Sequence, residues 1–296
     1  MRGQPRLRRT MMITPGNRVE RIAKAVTLPA DSIVMDIEDG VAPTDKPAAR
    51  AAIAEALRTL DFGGRERLVR INAVGTAAFA ADLEALDVAR IDALFVPKVE
   101  SGDQLRALTQ WLEGAEARAG RTDAIEIVAT IETPRGLLRA LEIADASPRT
   151  TALFFGSGDY TAATGSAVTE RTLAAPRALI VAAAAAAGIE AIDAAEFNDV
   201  KNAEAARADA LIARELGFAG KLIFHPNQLA PVNAVFTPTD AEVAKARRII
   251  DAYVSASSEG RGTAVVDGTF IAVDIMLMAE RVIRRRAQAD ARTPAG

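Results

Sequence analysis

The chain has 296 residues, about half of them apolar, so it is long enough to bury a large core in one main domain. Aromatic residues make up only 4% of the chain, which predicts an aliphatic core of parallel strands packed against alanine-rich helices. Cysteine is absent and histidine occurs once, as His225, which excludes disulfides, thiolate metal sites and multi-histidine metal centres. The net charge is −3 and acidic and basic residues are intermixed, which argues against nucleic acid as a partner.

The first residues of the chain are basic, with Arg2, Arg6, Arg8 and Arg9 close together. No apolar segment of signal-peptide composition follows them. No apolar run elsewhere reaches the length that crosses a membrane. We therefore expect a cytoplasmic protein without a membrane partner.

Short apolar or β-branched runs recur along the chain, and each is followed by a helical stretch rich in Ala, Leu, Glu and Arg. Strict alternation of strand and helix predicts a parallel sheet. Eight such units fit a closed barrel better than an open, doubly wound sheet. The runs lie at 11–14, 33–36, 68–72, 93–97, 125–131, 153–155, 190–192 and 221–224.

Residues that start and stop helices separate these runs. Thr44 and Asp45 open the helix after the second run, and residues 101–103 open the helix after the fourth. Gly188 and Gly217 end two later helices. The predicted segmentation is therefore supported at several helix ends.

The last part of the chain lies outside the eight units. A helix is predicted at 239–256, followed by a break at 257–262 that is rich in Ser and Gly, and by a second helix from about Ala272. We therefore predict a (β/α)8 barrel over residues 1–238 and a C-terminal helical arm or lid over residues 239–296.

Polar residues follow most of the predicted strands. In (β/α)8 barrels the carboxyl ends of the strands form the face where catalytic residues lie, so these side chains are the candidates for a site. They are Asp36, Glu38, Asp39, Arg70, Asn72, Lys98, Glu100, Glu132, Asp159 and Asp193.

Glu132 and Asp159 follow consecutive strands, so their carboxylates can converge on one hard cation. Mg²⁺ suits such a pair, because it commonly binds one or two carboxylates and keeps positions for water and substrate oxygens. Arg70, on a nearby strand, can bind a carboxylate or another oxyanion through its planar guanidinium. A cation and an arginine facing one cavity suit an anionic oxo acid or hydroxy acid.

Each candidate also has a simpler structural interpretation. Glu132 precedes Thr133 and Pro134 and could cap a helix. Asp36, Glu38 and Asp39 could form a salt-bridge hub for neighbouring basic side chains. His225, which precedes a proline, is typical of a hydrogen-bonded loop histidine.

Taken together, the segments in these positions resemble the citrate lyase β-subunit-like family over nearly the whole chain. No single segment is decisive, but their order and spacing make the resemblance strong. The segments are Arg8-Arg9-Thr10 to Pro15-Gly16-Asn17, Asp31 to Val41 with Lys46, Ala49 and Arg50, Val69 to Asn72, Val96 to Glu100, Ile131 to Thr133, Phe155-Gly156 with Gly158-Asp159, and Gly217-Phe218 to Gln228.

The resemblance implies a barrel enzyme that cleaves or forms a carbon–carbon bond in malyl-, citramalyl- or citryl-type thioesters. It implies that Mg²⁺ is held at Glu132 and Asp159, that the metal binds a 2-oxo acid such as glyoxylate, pyruvate or oxaloacetate, and that the other product is an acyl-CoA. The residues expected to contact substrate are Arg70, Asp36, Glu38 and Gly158, of which Gly158 replaces an acidic residue that is frequent in relatives.

Relatives supply the proton-transferring carboxylate from the C-terminal arm, in a segment that matches Asp267 to Asp274 here. The carboxylate position is occupied by Ala272, which has no titratable group. Asp274, two residues further on, is the nearest replacement and is the predicted catalytic acid or base beside Arg70. The resemblance also implies a homo-oligomer, a trimer or a dimer of trimers, in which the arm packs on a neighbouring subunit.

Two other functions remain open. One is an acyl-CoA thioester hydrolase, in which water attacks the thioester and the missing carboxylate matters less. The other is a non-catalytic ligand-binding or partner subunit, which Ala272 favours and the retained Glu132, Asp159 and Arg70 oppose.

Overall fold

The computed structural model describes residues 6–194 and 196–292. These residues fall into two compact units, divided between Val232 and Asn233, within the tenth helix. In the described ranges, no helix is both long enough and apolar enough to cross a membrane.

In the first unit, eight parallel strands close into a barrel in chain order, and the first strand pairs with the eighth. The predicted (β/α)8 barrel is thus confirmed, and each strand overlaps its predicted run. The strands are β1 Thr10–Pro15, β2 Ser32–Asp36, β3 Glu66–Arg70, β4 Ala93–Val96, β5 Glu126–Ile131, β6 Thr150–Phe155, β7 Glu190–Ala194 and β8 Gly220–Ile223.

Helices follow the strands and cover the barrel, as expected for parallel strands buried on both faces. In the described part of the chain they are α1 Val19–Ala25, α2 Lys46–Thr59, α3 Ala77–Ala85, α4 Gly102–Ala119, α5 Pro134–Leu138, α6 Ala140–Asp145, α7 Ser157–Thr164, α8 Glu170–Ala186 and α9 Ala203–Leu216. Three more helices come after β8, α10 Leu229–Phe236, α11 Asp240–Ser258 and α12 Val273–Arg292, of which α11 and α12 belong wholly to the second unit.

Alternate residues of each strand point into the barrel. Val34, Leu68, Val128 and Ile192 belong to one buried cluster at its centre. Because side chains alternate between the two faces of a strand, residues two positions from these also point inward, and their immediate neighbours point toward the helices. This alternation decides which polar side chains at the strand ends can point into the barrel.

The amino ends of the strands carry a buried ionic cluster. Arg8 is 1% exposed, and its guanidinium contacts Glu66 at 2.6 Å and Glu126 at 2.5 Å. Ser32 donates to Glu66 at 2.7 Å. In barrels of this fold, residues at this end serve stability, so the cluster is assigned to holding the base of the barrel.

The barrel closes through a close approach of β8 to β1. A Cβ atom on Gly220 would lie 1.9 Å from the carbonyl oxygen of Arg8, so any other residue would force the strands apart. The next residue, Lys221, donates its backbone N–H to the carbonyl of Arg9 at 3.0 Å. Glycine at position 220 is therefore needed for this seam.

The second unit contains α11, a two-stranded antiparallel hairpin and α12. Its core is built from Ala246, Ile249, Ile271 and Ala279. The hairpin strands, β9 Ala264–Val266 and β10 Thr269–Ile271, were not predicted, since the sequence indicated only a break and then a helix. The function of this unit as a lid or docking arm stays a prediction.

Candidate active site

Arg70 and Asp36 form an ion pair across neighbouring strands at the carboxyl ends of β3 and β2. They are direct register partners, and both point inward because Leu68 and Val34 do. Arg70 donates from Nε and from Nη2 to the two oxygens of Asp36, each at 2.7 Å. Such a two-point contact fixes the plane of the guanidinium.

Asp36 is itself held by the loop that follows β2. Its carboxylate accepts the backbone N–H groups of Glu38 at 2.8 Å and Gly40 at 2.9 Å. A Cβ atom on Gly40 would lie 2.2 Å from Oδ2 of Asp36, so glycine is needed for this close approach. Asp36 thus has a fixed position from which to orient Arg70.

Glu38 lies between two cations. Its Oε1 is 2.6 Å from Nζ of Lys98, and its Oε2 is 3.3 Å from Nη1 of Arg70. Lys98 also contacts Asp39 at 2.9 Å. Burial raises the pKa of Glu38, although both cations act to lower it. For Arg70 burial acts to lower the pKa, but the hydrogen bonds and the charge of Asp36 raise it. The salt-bridge hub anticipated as an alternative is present, whereas contact of Asp36 or Glu38 with substrate stays a prediction.

Glu132 follows β5 and is 3% exposed. Its Oε1 accepts the backbone N–H of Lys98 at 2.8 Å. The helix start beside it is capped by another residue, because the side chain of Thr133 accepts the N–H of Gly136 at 3.0 Å. The alternative that Glu132 serves as this cap is therefore not needed.

The second oxygen of Glu132 packs against Gly156, where no residue with a Cβ atom would fit. A Cβ atom on Gly156, directly after β6, would lie 2.6 Å from Oε2 of Glu132. Burial, together with the nearby charges of Asp159 and Glu38, raises the pKa of Glu132 to about 8, although the N–H of Lys98 and the charge of Arg70 act in the opposite direction. One oxygen is thus held by the backbone, and the other packs against Gly156.

Asp159 and Gly158 lie in the first turn of α7, directly beyond β6. Both are exposed. A carboxylate here is also favourable for the helix, because the amino end of a helix carries partial positive charge. A Cβ atom on Gly158 would be 3.9 Å from the ring of Phe197, an ordinary contact distance.

The structure directs one other predicted strand-end residue away from the barrel interior. Asp193 points toward the helices, since its neighbours Ile192 and Ala194 point inward, and it is buried in contacts with Arg177 and Lys221 at 2.9 and 2.7 Å. The prediction that Asp193 lies on the catalytic face was wrong, because it was made from the position of Asp193 at a strand end without asking to which side of the strand its side chain points.

The side chain of Asn72 is engaged in hydrogen bonds to other residues of the barrel unit. Its side-chain amide donates to Asp82 at 2.7 Å, and its oxygen accepts from Lys46. His225 has its Nδ1 accepting the backbone N–H of Asn227 at 3.2 Å, as a loop histidine does. These residues shape loops on this face of the barrel.

Asp274 lies in the second unit, in the first turn of α12, and is exposed. Along an extended segment, Ala272 and Asp274, two residues apart, would point the same way, and Asp274 could then replace the missing carboxylate. Instead, Ala272 directly precedes α12, and its carbonyl accepts the N–H of Met276 at 3.1 Å. The catalytic assignment of Asp274 stays a prediction.

The donor set fits one divalent, oxygen-binding cation. Among the described residues, no group of three or more His, Cys, Asp or Glu side chains is arranged to hold a metal. The charge of Asp159 raises the pKa of Glu132, so the two carboxylates repel each other when both are charged, and a cation between them would relieve this repulsion. Mg²⁺ is bound in this way in sites where water and substrate complete its coordination.

Two features of this site have no signal in the sequence. Lys98 has a φ of +51°, a left-handed conformation rarely adopted by residues other than glycine. That conformation accompanies the bond from its N–H to Glu132. The clearance above Gly156 depends on a tertiary distance, so it too emerges only from the structure.

A carboxylate pair and an oriented arginine lie at the carboxyl end of a (β/α)8 barrel, the face where enzymes of this fold carry their active sites. The sequence model of the HpcH/HpaI aldolase/citrate lyase family matches residues 9–226. The chain belongs to this family, which confirms the resemblance and the expectation of a carbon–carbon lyase.

Individual relatives agree with this placement. The chain is 38% identical to a (3S)-malyl-CoA thioesterase of Cereibacter sphaeroides over 265 residues, 89% of each chain. It is 36% identical to an L-malyl-CoA/beta-methylmalyl-CoA lyase of Rhodobacter capsulatus over 306 aligned residues, 96% of each. Protein CitE of Mycobacterium tuberculosis, solved with magnesium, acetoacetate and coenzyme A, matches with a TM-score of 0.75 and 33% identity, covering 97% of this chain and 100% of that one.

Proposed function

We propose that this protein is a Mg²⁺-dependent carbon–carbon lyase or synthase for a 3-hydroxyacyl-CoA such as malyl-CoA or citramalyl-CoA, or for a citryl thioester. The observation that carries the proposal is the buried Glu132, with one oxygen held by a backbone N–H and the other packed on Gly156, within the electrostatic influence of Asp159 and Arg70. The magnesium-bound relative and the malyl-CoA lyase support the same reading.

Glu132 and Asp159 would hold the metal, and their two negative charges would offset its two positive ones. When bound, Mg²⁺ supplies Lewis-acid polarisation of the oxo-acid oxygens. Glu132 would keep its orientation because the N–H of Lys98 fixes Oε1 at 2.8 Å. Glycine at 156 would let Glu132 keep this position, because a Cβ atom there would lie 2.6 Å from Oε2.

Arg70 would stabilise negative charge on the substrate. Its Nε and Nη2 are occupied by Asp36, so the Nη1 side is the one that can turn toward an incoming anion. The raised pKa keeps the guanidinium charged throughout. A donor oriented before substrate arrives costs no reorganisation when charge develops during carbon–carbon cleavage.

A cavity at the same end of the barrel suits the nucleotide part of an acyl-CoA. Its volume is about 320 Å³, and it lies beside Pro15 at the end of β1 and Phe224 after β8. Arg21 and Lys24 line it and are exposed. Two cations beside an apolar surface would attract phosphate groups while the wall accepts the uncharged parts of the ligand.

The proton transfer is assigned to Asp274, since the family's usual position is occupied by Ala272. The cytoplasmic location and a trimeric or hexameric assembly also remain proposals. The second unit exposes Val254, Val265 and Phe270 at 59%, 70% and 64%, and such apolar area favours an interface with another subunit.

The decisive experiment separates the two products that a malyl-type thioester can give. Carbon–carbon cleavage of malyl-CoA yields glyoxylate and acetyl-CoA, whereas hydrolysis yields malate and free CoA. We expect Mg²⁺-dependent release of glyoxylate, trapped as a hydrazone, without an equal release of thiol. The Glu132→Gln variant is the matched control.

A thioester hydrolase is the second candidate, because one of the relatives carries that activity. Thiol release without glyoxylate would support it. A non-catalytic ligand-binding or partner subunit is the third, favoured by Ala272. Mg²⁺ and oxo-acid binding in a thermal-shift assay, with no turnover across a thioester panel, would support the third and contradict the proposed lyase.

A further inference from the structure

Lys98 is a lysine held in a backbone conformation that lysine disfavours. It follows β4 and has a φ of +51°. For a residue with a Cβ atom this conformation costs free energy, which the surrounding contacts must offset. Strain of this kind often accompanies a functional role of the residue.

The backbone and the side chain of Lys98 serve different partners. Its N–H donates to Oε1 of Glu132 at 2.8 Å. Its ammonium contacts Glu38 at 2.6 Å and Asp39 at 2.9 Å. Because the backbone N–H persists when the side chain is replaced, the two functions can be separated by mutation.

The ammonium of Lys98 competes with Arg70 for Glu38. Glu38 is closer to Nζ of Lys98, at 2.6 Å, than to Nη1 of Arg70, at 3.3 Å. Around these two cations lie three carboxylates, those of Asp36, Glu38 and Asp39. Without the ammonium, Arg70 would be the only cation among the four groups that remain.

We propose that Lys98 is a positioning residue whose ammonium holds Asp39 and one oxygen of Glu38, so that only the other oxygen of Glu38 faces Nη1 of Arg70, at 3.3 Å, and the guanidinium can exchange that contact for the carboxylate of a 2-oxo acid. This inference rests on the proposed function of the site. A merely structural salt bridge of a side chain that is 37% exposed would contribute little to stability and nothing to oxo-acid affinity.

The test uses pyruvate as a probe of the oxo-acid site and isothermal calorimetry as the measurement. Pyruvate is titrated at saturating Mg²⁺, and Mg²⁺ is titrated separately into the metal-free protein. The variants are Lys98→Met, Glu38→Gln and the double variant Lys98→Met/Glu38→Gln. Arg58→Met is the charge-matched control, since Arg58 is exposed on α2 and pairs only with Glu55 among the salt bridges of the described chain.

We expect Lys98→Met to weaken pyruvate about tenfold, the scale of one close charge pair, while Mg²⁺ affinity stays within about twofold because the N–H to Glu132 remains. Adding Glu38→Gln should restore most of the lost affinity, since it removes the competitor for Arg70. Arg58→Met should match the parent.

Unchanged pyruvate affinity in Lys98→Met overturns the inference and leaves the proposed function intact. So does an equal loss of Mg²⁺ and pyruvate affinity, or a double variant no better than Lys98→Met. A parent protein that binds no pyruvate in the presence of Mg²⁺ overturns the proposed function, and this inference with it.

Discussion

Gly156 and Glu132 are so close that a single added carbon would collide with the candidate metal ligand. The Cβ atom of an alanine at position 156 would lie 2.6 Å from both Oε2 and Cβ of Glu132. The absence of a side chain at 156 is therefore a requirement of the site and not of the barrel wall alone. It makes the site sensitive to the smallest possible substitution.

We predict that Gly156→Ala weakens Mg²⁺ binding more than about tenfold, because Glu132 must rotate away from its position. Calorimetric titration of the metal-free protein with Mg²⁺ measures the effect. Gly114→Ala on α4 is the matched control, since its Cβ would meet only the end of the Arg118 side chain at 3.3 Å. If Gly156→Ala binds Mg²⁺ as tightly as the parent, the close contact between Gly156 and Glu132 is not required for metal binding.

We predict that Glu132→Gln and Asp159→Asn each lose Mg²⁺ affinity and turnover together, because each removes one anionic ligand from the cation. The loss should exceed about 100-fold for Glu132→Gln, which is the buried and fixed member of the pair. Calorimetry and a coupled glyoxylate assay report the two effects. If both variants bind Mg²⁺ like the parent, the metal lies elsewhere.

The ionic cluster at the base of the barrel should control acid stability. Although burial opposes it, the attraction of Arg8 and the hydrogen bonds from Arg6 and Thr151 lower the pKa of Glu126. A carboxyl group with a lowered pKa in the folded state stabilises the protein above its ordinary pKa, and this contribution is lost as pH falls through the folded-state value.

We therefore predict that Glu126→Gln lowers the free energy of unfolding at pH 7 by about 2 kcal/mol, and Tm by roughly 4–8 °C. The difference from the parent should shrink between pH 5 and pH 3 (about the range over which the parent carboxyl becomes protonated). Thermal melts across pH test this, with Asp103→Asn as an exposed control. A constant difference at all pH values would contradict it.

Substitutions at Ala272 and Asp274 distinguish two hypotheses about proton transfer. If Ala272 is the defect, Ala272→Asp should raise malyl- or citramalyl-CoA cleavage by about 10²–10⁴-fold, and Asp274→Asn should change little. If Asp274 has replaced the missing carboxylate, Asp274→Asn should abolish the activity and Ala272→Asp should add nothing. A fast parent enzyme indifferent to both would mean that the proton comes from another group.

The second unit should mediate self-association. Its exposed apolar residues include Phe270 and Met278, which are 64% and 60% exposed. We predict a trimer or a dimer of trimers in sedimentation velocity at micromolar concentration, and a smaller species for Phe270→Asp/Met278→Asp. A monomeric parent would contradict the prediction. Circular dichroism on the variant would distinguish dissociation from unfolding.

The barrel was predictable because its strands are compact aliphatic runs, each separated from the next by residues that start and stop helices. The hairpin of the second unit was not, since each of its strands has only three residues and its Asp267-Gly268 turn lies between the predicted break at 257–262 and the helix predicted from about Ala272. Positive φ at both turn residues is typical of tight hairpins, so Asp-Gly was an available signal.

The site was predictable as a set of residues but not as an arrangement. Glu132 and Arg70 were found from their positions after strands, and the same rule wrongly included Asp193. Counting by twos from the buried Ile192 would have excluded it. The left-handed backbone of Lys98 is fixed by tertiary contacts, which the local sequence does not encode.

The seam between Gly220 and Arg8 has a consequence for biosynthesis. The two edges that meet there come from opposite ends of the barrel sequence, so a ribosome must deliver β8 before the ring can close. Until then the nascent chain presents unpaired edges on β1 and β7, the kind of surface that recruits other extended chains. Truncated products ending before Gly220 should therefore depend on chaperones and be degraded rapidly, even though they contain Arg70, Glu132 and Asp159.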